Sequence, residues 1–377
     1  MIVSQANCAP VSDAAFSKHD LVSKTWAFVT PGQGVVSPYC KFLASGYVSG
    51  VPNQEACWWK FEVNELILIN AEGVLAIVFD RFSLGLQGNL CLHGRSLSDP
   101  DAMYILNERD PISALAEAST DAVLIKKEGQ RRRRNLVVVR ANENSCHPSW
   151  PIDICAADRT WDLCTSFYGD VSSFPFNDFA EYQVLQNKER KWPAIHKLFH
   201  KDSPLWNYDY YLFPDDDIEM SWSSINRIFE VSRSFGLNLA QPALATGSYF
   251  SYKITLQKAR FNMRYTNYVE AMTPLFSRFA MEVCAPTFAA SQSGWGLDYI
   301  WAHLLGNLST SIAIIDEVSV LHRRPVGNSY DTEIARAEMF RVMAKFGAPV
   351  SQATFGGVLP SGWRVVSKQA IDNVIGT

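Results

Sequence analysis

The stretch Tyr208-Asp209-Tyr210-Tyr211-Leu212-Phe213-Pro214-Asp215-Asp216-Asp217-Ile218 sets an apolar, aromatic run against three consecutive carboxylates. Tyr, Leu and Phe in succession fit a covered, pleated surface, so the run reads as a buried strand. The acids that end it cannot be core, because an unpaired buried carboxylate is too costly. They must meet water, a cation or a basic group. In an extended segment Asp215 and Asp217 point to one side and Asp216 to the other. Two carboxylates at a strand end form a hard-oxygen site suited to Mg2+ or Mn2+. A solvated turn is the plain alternative for an isolated Asp triplet. The apolar strand before it and the residues downstream favour the metal.

Outward from this strand the chain alternates strands and helices. Leu136-Val137-Val138-Val139 is fully apolar and β-branched, as in a parallel sheet covered on both faces. Asp162–Tyr168 is a second strand, and Trp192–Phe199 a helix. Ser221 caps a helix that runs to about Ser234, with Gly236 as its stop. Leu237–Ala240 and Ile312–Ile315 are further strands, and helices start near Arg278, Gly296 and Thr332. This alternation predicts an α/β fold, in which ligands sit at the carboxyl ends of the strands.

The first part of the chain differs. Trp26–Val29, Trp58–Val63, Leu66–Ile69, Val74–Phe79 and Leu90–Leu92 read as short strands, with Asn64-Glu65 and Asn70–Gly73 as hairpin connections. Residues 24–109 are therefore a small all-β module with no cluster of acids, His or Cys, and none of its residues is expected to be catalytic. Residues 1–23 read as a loose arm and 110–134 as a connector with a short helix over Ile112–Ala118. The connector ends in Arg131-Arg132-Arg133-Arg134, which reads either as a phosphate or anionic-membrane contact or as a solvated linker; the linker reading is favoured.

With 377 residues, two domains are expected. A hydrophobic share of 47% and a charged share of 19% fit a globular protein. A formal net charge of -4 argues against bulk nucleic-acid binding. The eight cysteines form no Cys-x-x-Cys pair or zinc spacing. The start shows no secretory pattern, and no apolar run is long enough to span a bilayer. These points predict reduced thiols and a cytoplasmic location, at the inner face of the membrane if the arginine run meets lipid.

Three pieces join the acid triplet. Ser293–Tyr299 places Asp298 in a first helical turn after Gly294-Trp295-Gly296, whose glycines allow close backbone approach to a ligand. A carboxylate that complements the helix dipole is the equal alternative for Asp298. His322 follows an apolar strand and precedes Arg323-Arg324; an imidazole near two carboxylates suits Mn2+, and arginine suits phosphate. Arg140-Ala141-Asn142 lies just past the first strand, where a nucleotide sits in an open α/β sheet.

From about Asn135 to Gly327 the sequence resembles the uncharacterised domain-of-unknown-function family 707, grouped with the GT-A glycosyltransferases. The resembling pieces are Arg134–Val139, Tyr208–Ile218, Leu239–Leu244, Val269–Arg278, Trp295–Asp298, and Ile315-Asp316 followed by His322. The resemblance implies a GT-A-like, Rossmann-type mixed sheet flanked by helices over residues 135–330. Beyond the resembling stretch, residues 331–377 read as a C-terminal helix and a tail whose Phe355, Trp363, Val365 and Val366 suggest that it packs on this domain. The resemblance further implies a nucleotide-sugar donor, with Asp217 the stronger metal candidate and Asp215 nearer the ribose; Arg140, Asn142, Asp216 and Arg323 join Asp215 as candidates for binding the nucleotide. Asp215, Asp217 and His322 would hold Mn2+ or Mg2+. The extra acid, Asp216, leaves the register of metal contact open by one residue. Asp298 maps onto the base of an inverting transfer. Glu270 and Trp295 are candidates for the acceptor, a glycan or lipid-linked glycan of surface polysaccharide assembly. A core Trp and an Arg-paired structural Glu are their alternatives. A non-catalytic glycan-binding or scaffold protein is the rival reading. Nucleotidyl transfer ranks lower, because Arg140–Asn144 has neither glycine nor lysine. Asp215, Asp217 and His322 are expected to converge in space.

Overall fold

The structure is a computed structural model, which describes residues 16–31, 34–44, 46–49, 51, 56–84, 89–109, 122–127, 133–152, 154–155, 157–170, 179–186, 188–306, 310–327 and 331–365. The expected helix over Ile112–Ala118, together with Arg131, Arg132 and Val366, lies outside the described residues. The chain divides into two compact units, Met1–Ala114 with His303–Asn307, and Leu115–Ala302 with Leu308–Thr377. Among the described residues no helix is long and apolar enough to cross a membrane.

In the first unit, residues placed by sequence in the loose arm form α1 (Lys18–Ser23). Ser17 and Asp20 cap it reciprocally, satisfying donors that a helix start otherwise leaves open, and Leu21 is buried. Eight antiparallel strands follow: β1 (Thr25–Thr30), β2 (Gly34–Phe42), β3 (Val48–Ser49), β4 (Trp58–Glu62), β5 (Glu65–Ile69), β6 (Leu75–Leu84), β7 (Leu90–Ser96) and β8 (Met103–Arg109). Their order is β3-β2-β1-β8-β7-β6-β5-β4, and a bridge between Tyr47 and Trp58 joins the two ends. Closing the sheet removes exposed strand edges. Inward-facing Trp26, Phe28, Phe42, Trp59 and Phe79 fill the interior. Gly94 is required there, since a Cβ would stand 2.7 Å from the Phe79 ring.

The second unit is built on a sheet of β9 (Ala122–Lys127), β10 (Asn135–Ala141), β11 (Trp161–Phe167), β12 (Tyr182–Gln186), β13 (Tyr210–Leu212), β14 (Ile218–Glu219), β15 (Leu239–Leu244), β16 (Met263–Thr266), β17 (Leu275–Ser277), β18 (Ile312–His322), β19 (Thr354–Val358) and β20 (Arg364–Val365). Its order is β20-β19-β16-β18-β15-β17-β13-β10-β11-β12-β9, with β14 on β18. The strands β12, β11, β10 and β13 run parallel, and so do β15 and β18; β17 is antiparallel to both β13 and β15. This is the expected mixed α/β sheet. The chain moves outward from β10 through β11 to β12 and then returns to the other side of β10 as β13. That reversal opens a crevice at the carboxyl ends of β10 and β13.

The helices are α2 (Lys191–Leu198), α3 (Trp222–Ser234), α4 (Arg278–Cys284), α5 (Leu297–Leu305) and α6 (Thr332–Phe346). Ser221 caps α3 as expected, and Gly236 ends it at φ 63°. Trp192 of α2 meets Phe213, Phe288 and Trp301, an aromatic cluster that packs helices under the end of β13.

Three strands depart from the sequence reading. The acid-bearing strand is shorter than expected, because β13 ends at Leu212. The strand read as ending at Ala240 continues through Pro242 to Leu244. Proline supplies no N–H to a ladder, and β15 pairs with β17 only at Leu239 and Ala240. Beyond that point the neighbours separate. β18 runs on past Ile315 and shifts register against β15 between Ile315 and Ser319. Asp316 stands at this irregularity and pairs with Arg264 at 2.8 and 2.9 Å, both side chains being at most 2% exposed. In the tail, Phe355 packs on the core, but Trp363 is 76% exposed, contrary to expectation.

Arg133 and Arg134 are also not a free basic run. Arg133 pairs with Asp162 and Glu181, and Arg134 with Asp209.

Removing one partner of a buried ion pair leaves a charge without compensation, at a cost of about 3–5 kcal/mol. Arg264→Met is expected to lower unfolding stability by that order in urea titration. A change below about 1 kcal/mol would show that the Arg264–Asp316 pair does not hold the register shift.

Candidate active site

Six parallel strands deliver their carboxyl ends to one side of the sheet; Asp215–Asp217 follow β13 there, and His322 ends β18. A cavity of about 750 Å3 opens there, within the range of small-molecule sites. Its walls include Tyr168, Asp215–Asp217, Glu270, Asp298, His322 and Arg324.

Asp215, Asp217 and His322 converge as anticipated: one ligand atom from each lies within 4.8 Å of the others. The backbone explains this. Asp217 precedes β14, which pairs Ile218 with His322 on β18. The His322 Nδ1 faces the Tyr249 carbonyl at 2.8 Å, and Nε2 lies 3.1 Å from the Asp217 carboxylate. An Nδ1 that meets a carbonyl must carry the proton. In the neutral ring Nε2 then presents a lone pair to an anionic oxygen, an arrangement that calls for a proton or a metal ion between them. Burial opposes the charged imidazole, yet the Asp217 carboxylate beside it raises the His322 pKa above its ordinary value. The two carboxylates and imidazole fit Mn2+ in ligand type, and the carboxylate oxygens alone suit Mg2+.

Sequence reasoning missed the groups that balance this charge. Lys191, at the start of α2, inserts its ammonium into a cage: 2.7 Å from the Phe213 carbonyl, 3.0 Å from those of Ala271 and Met272, and 2.6 Å from Asp215 Oδ1. Burial lowers the Lys191 pKa against the pull of Asp215. Arg324 donates from Nε to Asp217 Oδ2 at 3.0 Å and from Nη2 to Asp216 Oδ1. A lone Lys at a helix start carries no signal in sequence, and the Arg323-Arg324 pair alone does not tell which arginine faces the acids. The structure turns Arg323 to Glu219, away from the cavity lining. Asp216 also accepts from Ser145 Oγ at 3.1 Å.

Arg140 and Asn142 do not line the cavity. The Arg140 guanidinium is buried against Ser166 Oγ at 2.9 Å and the Glu189 carbonyl at 3.1 Å. Asn142 Nδ2 holds the Tyr168 hydroxyl at 2.6 Å, and Tyr168 is the one that faces the cavity. Trp295 lines the cavity and is half-buried. The flanking glycines approach protein as well as cavity. A Cβ at Gly294 would stand 2.9 Å from the Trp192 ring, and one at Gly296 would stand 3.1 Å from the Met339 carbonyl of α6. The segment leading into them is held by Glu338 of α6, which accepts from the backbone of Gln292 and Ser293, each at 2.8 Å.

Two acids lie deeper. Asp298 Oδ2 accepts from the Tyr268 hydroxyl at 2.7 Å, and Oδ1 from the amides of Gly296 and Tyr299 at 3.1 Å each. Burial raises its pKa to about 6. The Glu270 backbone amide donates to Gln241 Oε1 at 2.6 Å, in the region where β15 and β17 have parted. Glu270 Oε2 has no hydrogen-bond partner, no arginine among the described residues pairs with it, and burial raises its pKa to about 7.

A carboxyl with a raised pKa holds its proton more tightly in the folded than in the unfolded chain. Its favourable contribution is complete below the ordinary carboxyl range and is lost as pH rises through about 7. Glu270→Gln removes this penalty. Its Tm relative to wild type is expected to rise between pH 4 and pH 8, measured by calorimetry without added metal. A pH-independent difference would show that Glu270 ionises freely.

Residues 169–341 match the family model described as Protein of unknown function (DUF707). A search of curated proteins gave no match. Among solved structures the chain is similar to S. aureus TarS 1-349, at 9% identity and TM-score 0.38, covering 58% of this chain and 67% of that one. TarS 1-349 in complex with UDP-GlcNAc gives 10% identity and TM-score 0.37, with 58% and 68% covered. A197 from STIV gives 10% and 0.29, with 62% and 94% covered. The match over residues 169–341 contains the acid triplet, Glu270, Asp298 and His322, so over that stretch the chain is similar to the DUF707 family, as the sequence pieces indicated.

Proposed function

We propose that this chain is a metal-dependent glycosyltransferase, moving a sugar from a nucleotide-sugar donor to a glycan or lipid-linked glycan acceptor with inversion. The observation that carries the reading is the meeting of Asp215, Asp217 and His322 beside Arg324, in one cavity at the carboxyl ends of the parallel strands. Asp217 and His322 would hold the ion, with Asp215 completing the set. When bound, Mn2+ or Mg2+ offsets charge on the leaving diphosphate. The protein groups have separable tasks. Lys191 balances Asp215, so three adjacent carboxylates coexist without mutual repulsion driving them apart. Arg324 is 45% exposed at the cavity rim and has a guanidinium fork that matches phosphate oxygens. Arg190 and Arg336 add positive charge to the same cavity.

Thermal shift with Mn2+ and a panel of nucleoside diphosphates tests the reading. Stabilisation is expected to need metal and nucleotide together, following ligand linkage. Asp217→Asn is expected to abolish the joint effect. Stabilisation by nucleotide that is indifferent to metal, and unchanged in Asp217→Asn, would overturn the metal role. Arg324→Ala is expected to weaken nucleoside diphosphate binding in saturating Mn2+ by about tenfold, the worth of roughly one charge-assisted hydrogen bond. Titration calorimetry reads this, and unchanged affinity would remove Arg324 from the diphosphate site.

A further inference from the structure

We propose that Glu270, not Asp298, takes the proton from the acceptor hydroxyl, and that Asp298 is a positioning group that holds Tyr268 and the start of α5. The proposal rests on the glycosyltransferase reading and assigns its acceptor chemistry.

The two acids share a cavity but differ in what their oxygens do. A general base must offer a lone pair to the incoming hydroxyl. Asp298 sits in the first turn of α5, the position that made it the sequence candidate. There, both its oxygens already accept hydrogen bonds, from one side-chain hydroxyl and two backbone amides. These bonds fix the Gly294–Gly296 turn and orient Tyr268, a cavity-wall residue. Taking a proton at Asp298 would require breaking one of them.

Glu270 is the reverse case. It is 6% exposed and lines the cavity, and its Oε2 has no partner. An unpartnered buried carboxylate oxygen is costly and calls for an explanation. Its backbone is not free to relieve the strain, because the amide is tied to Gln241. The following residues, Ala271 and Met272, are tied through their carbonyls to Lys191. The oxygen is therefore held ready for a donor from outside the protein, and the acceptor hydroxyl is such a donor. The charged groups that act on Glu270 are Asp298, His322 and Asp215; Ser251 hydrogen-bonds its carboxyl, Oε2 remains the unpartnered oxygen, and Tyr268 is a polar neighbour. Burial among them brings its pKa to about 7, so both protonation states are available near neutrality.

The step balances as a single displacement. The acceptor oxygen forms the bond to C1 of the donor sugar while its proton passes to Glu270 Oε2. The bond from C1 to the diphosphate oxygen breaks, and its electron pair leaves on the nucleoside diphosphate. The proton on Glu270 is then released to water.

The test uses the full chain with Mn2+, with UDP-glucose, UDP-N-acetylglucosamine and GDP-mannose as donors and water as acceptor. Release of nucleoside diphosphate is followed. Glu270→Gln is expected to reduce release about a hundredfold or more while UDP or GDP affinity in Mn2+ stays within about twofold. Glu270→Ala is expected to regain release in azide, a nucleophile with no proton to lose, giving a glycosyl azide of inverted configuration. Asp298→Ala is expected to show no azide rescue. Wild-type release by Glu270→Gln, equal loss of diphosphate affinity, or azide rescue of Asp298→Ala in place of Glu270→Ala would each overturn the assignment. Failure of the parent reading looks different: the wild-type protein then neither binds nucleoside diphosphate with Mn2+ nor turns over any of the three donors, and this proposal falls with it.

Discussion

The Lys191 ammonium is the contact on which the site depends. It joins three parts of the chain that are distant in sequence: the first turn of α2, the end of the acid strand through Phe213 and Asp215, and the segment after Glu270 through Ala271 and Met272. An ammonium largely withdrawn from water needs several acceptors, and here a carboxylate and three carbonyls supply them. The same bonds hold Asp215 on the cavity wall and fix the backbone that presents Glu270. The aromatic cluster around Trp192 locks the helix that carries Lys191, so core packing and site geometry are linked within one helical turn.

The acid triplet shows how charge is handled at close range. Three adjacent carboxylates persist because each has its own partner: Lys191 for Asp215, Arg324 and Ser145 for Asp216, and His322 with Arg324 for Asp217. The partners differ in how firmly they are held. Lys191 is 14% exposed and His322 7%, whereas Arg324 is 45% exposed on the stretch that follows β18. A firmly held cation is part of the wall, while an exposed arginine is able to exchange a carboxylate for a phosphate.

The sheet makes room for this chemistry by a local defect. Pro242 extends β15 where β17 has already left it, and β18 slips its register at the same level. The Gln241 side chain, on the part of β15 that β17 has left, accepts the Glu270 amide at Oε1. The buried Arg264–Asp316 pair ties this level to the neighbouring loop: Arg264 donates to the Ile254 and Leu256 carbonyls, and Asp316 accepts from the Lys258 amide. An unbroken ladder would have left no opening for an acid in this part of the sheet.

The sequence by itself determined the fold class and the convergence of Asp215, Asp217 and His322. Apolar strands that alternate with capped helices have one economical arrangement, a covered parallel sheet, and acids or a His that end such strands must emerge on its carboxyl side. The antiparallel strands of the first unit were legible for the same reason, as short strands punctuated by hairpin turns. What the tertiary structure alone decided was partnership. Arg140 and Arg323 have the chemistry for phosphate, yet one is buried against Ser166 and the other is turned to Glu219. Lys191 and Arg324 took their places through contacts across 24 and 107 residues of chain. Whether Asp298 or Glu270 keeps a free oxygen depends on which donors packing brings to each. Periodicity and caps are set by neighbours in the chain, but hydrogen-bond satisfaction is set by neighbours in space.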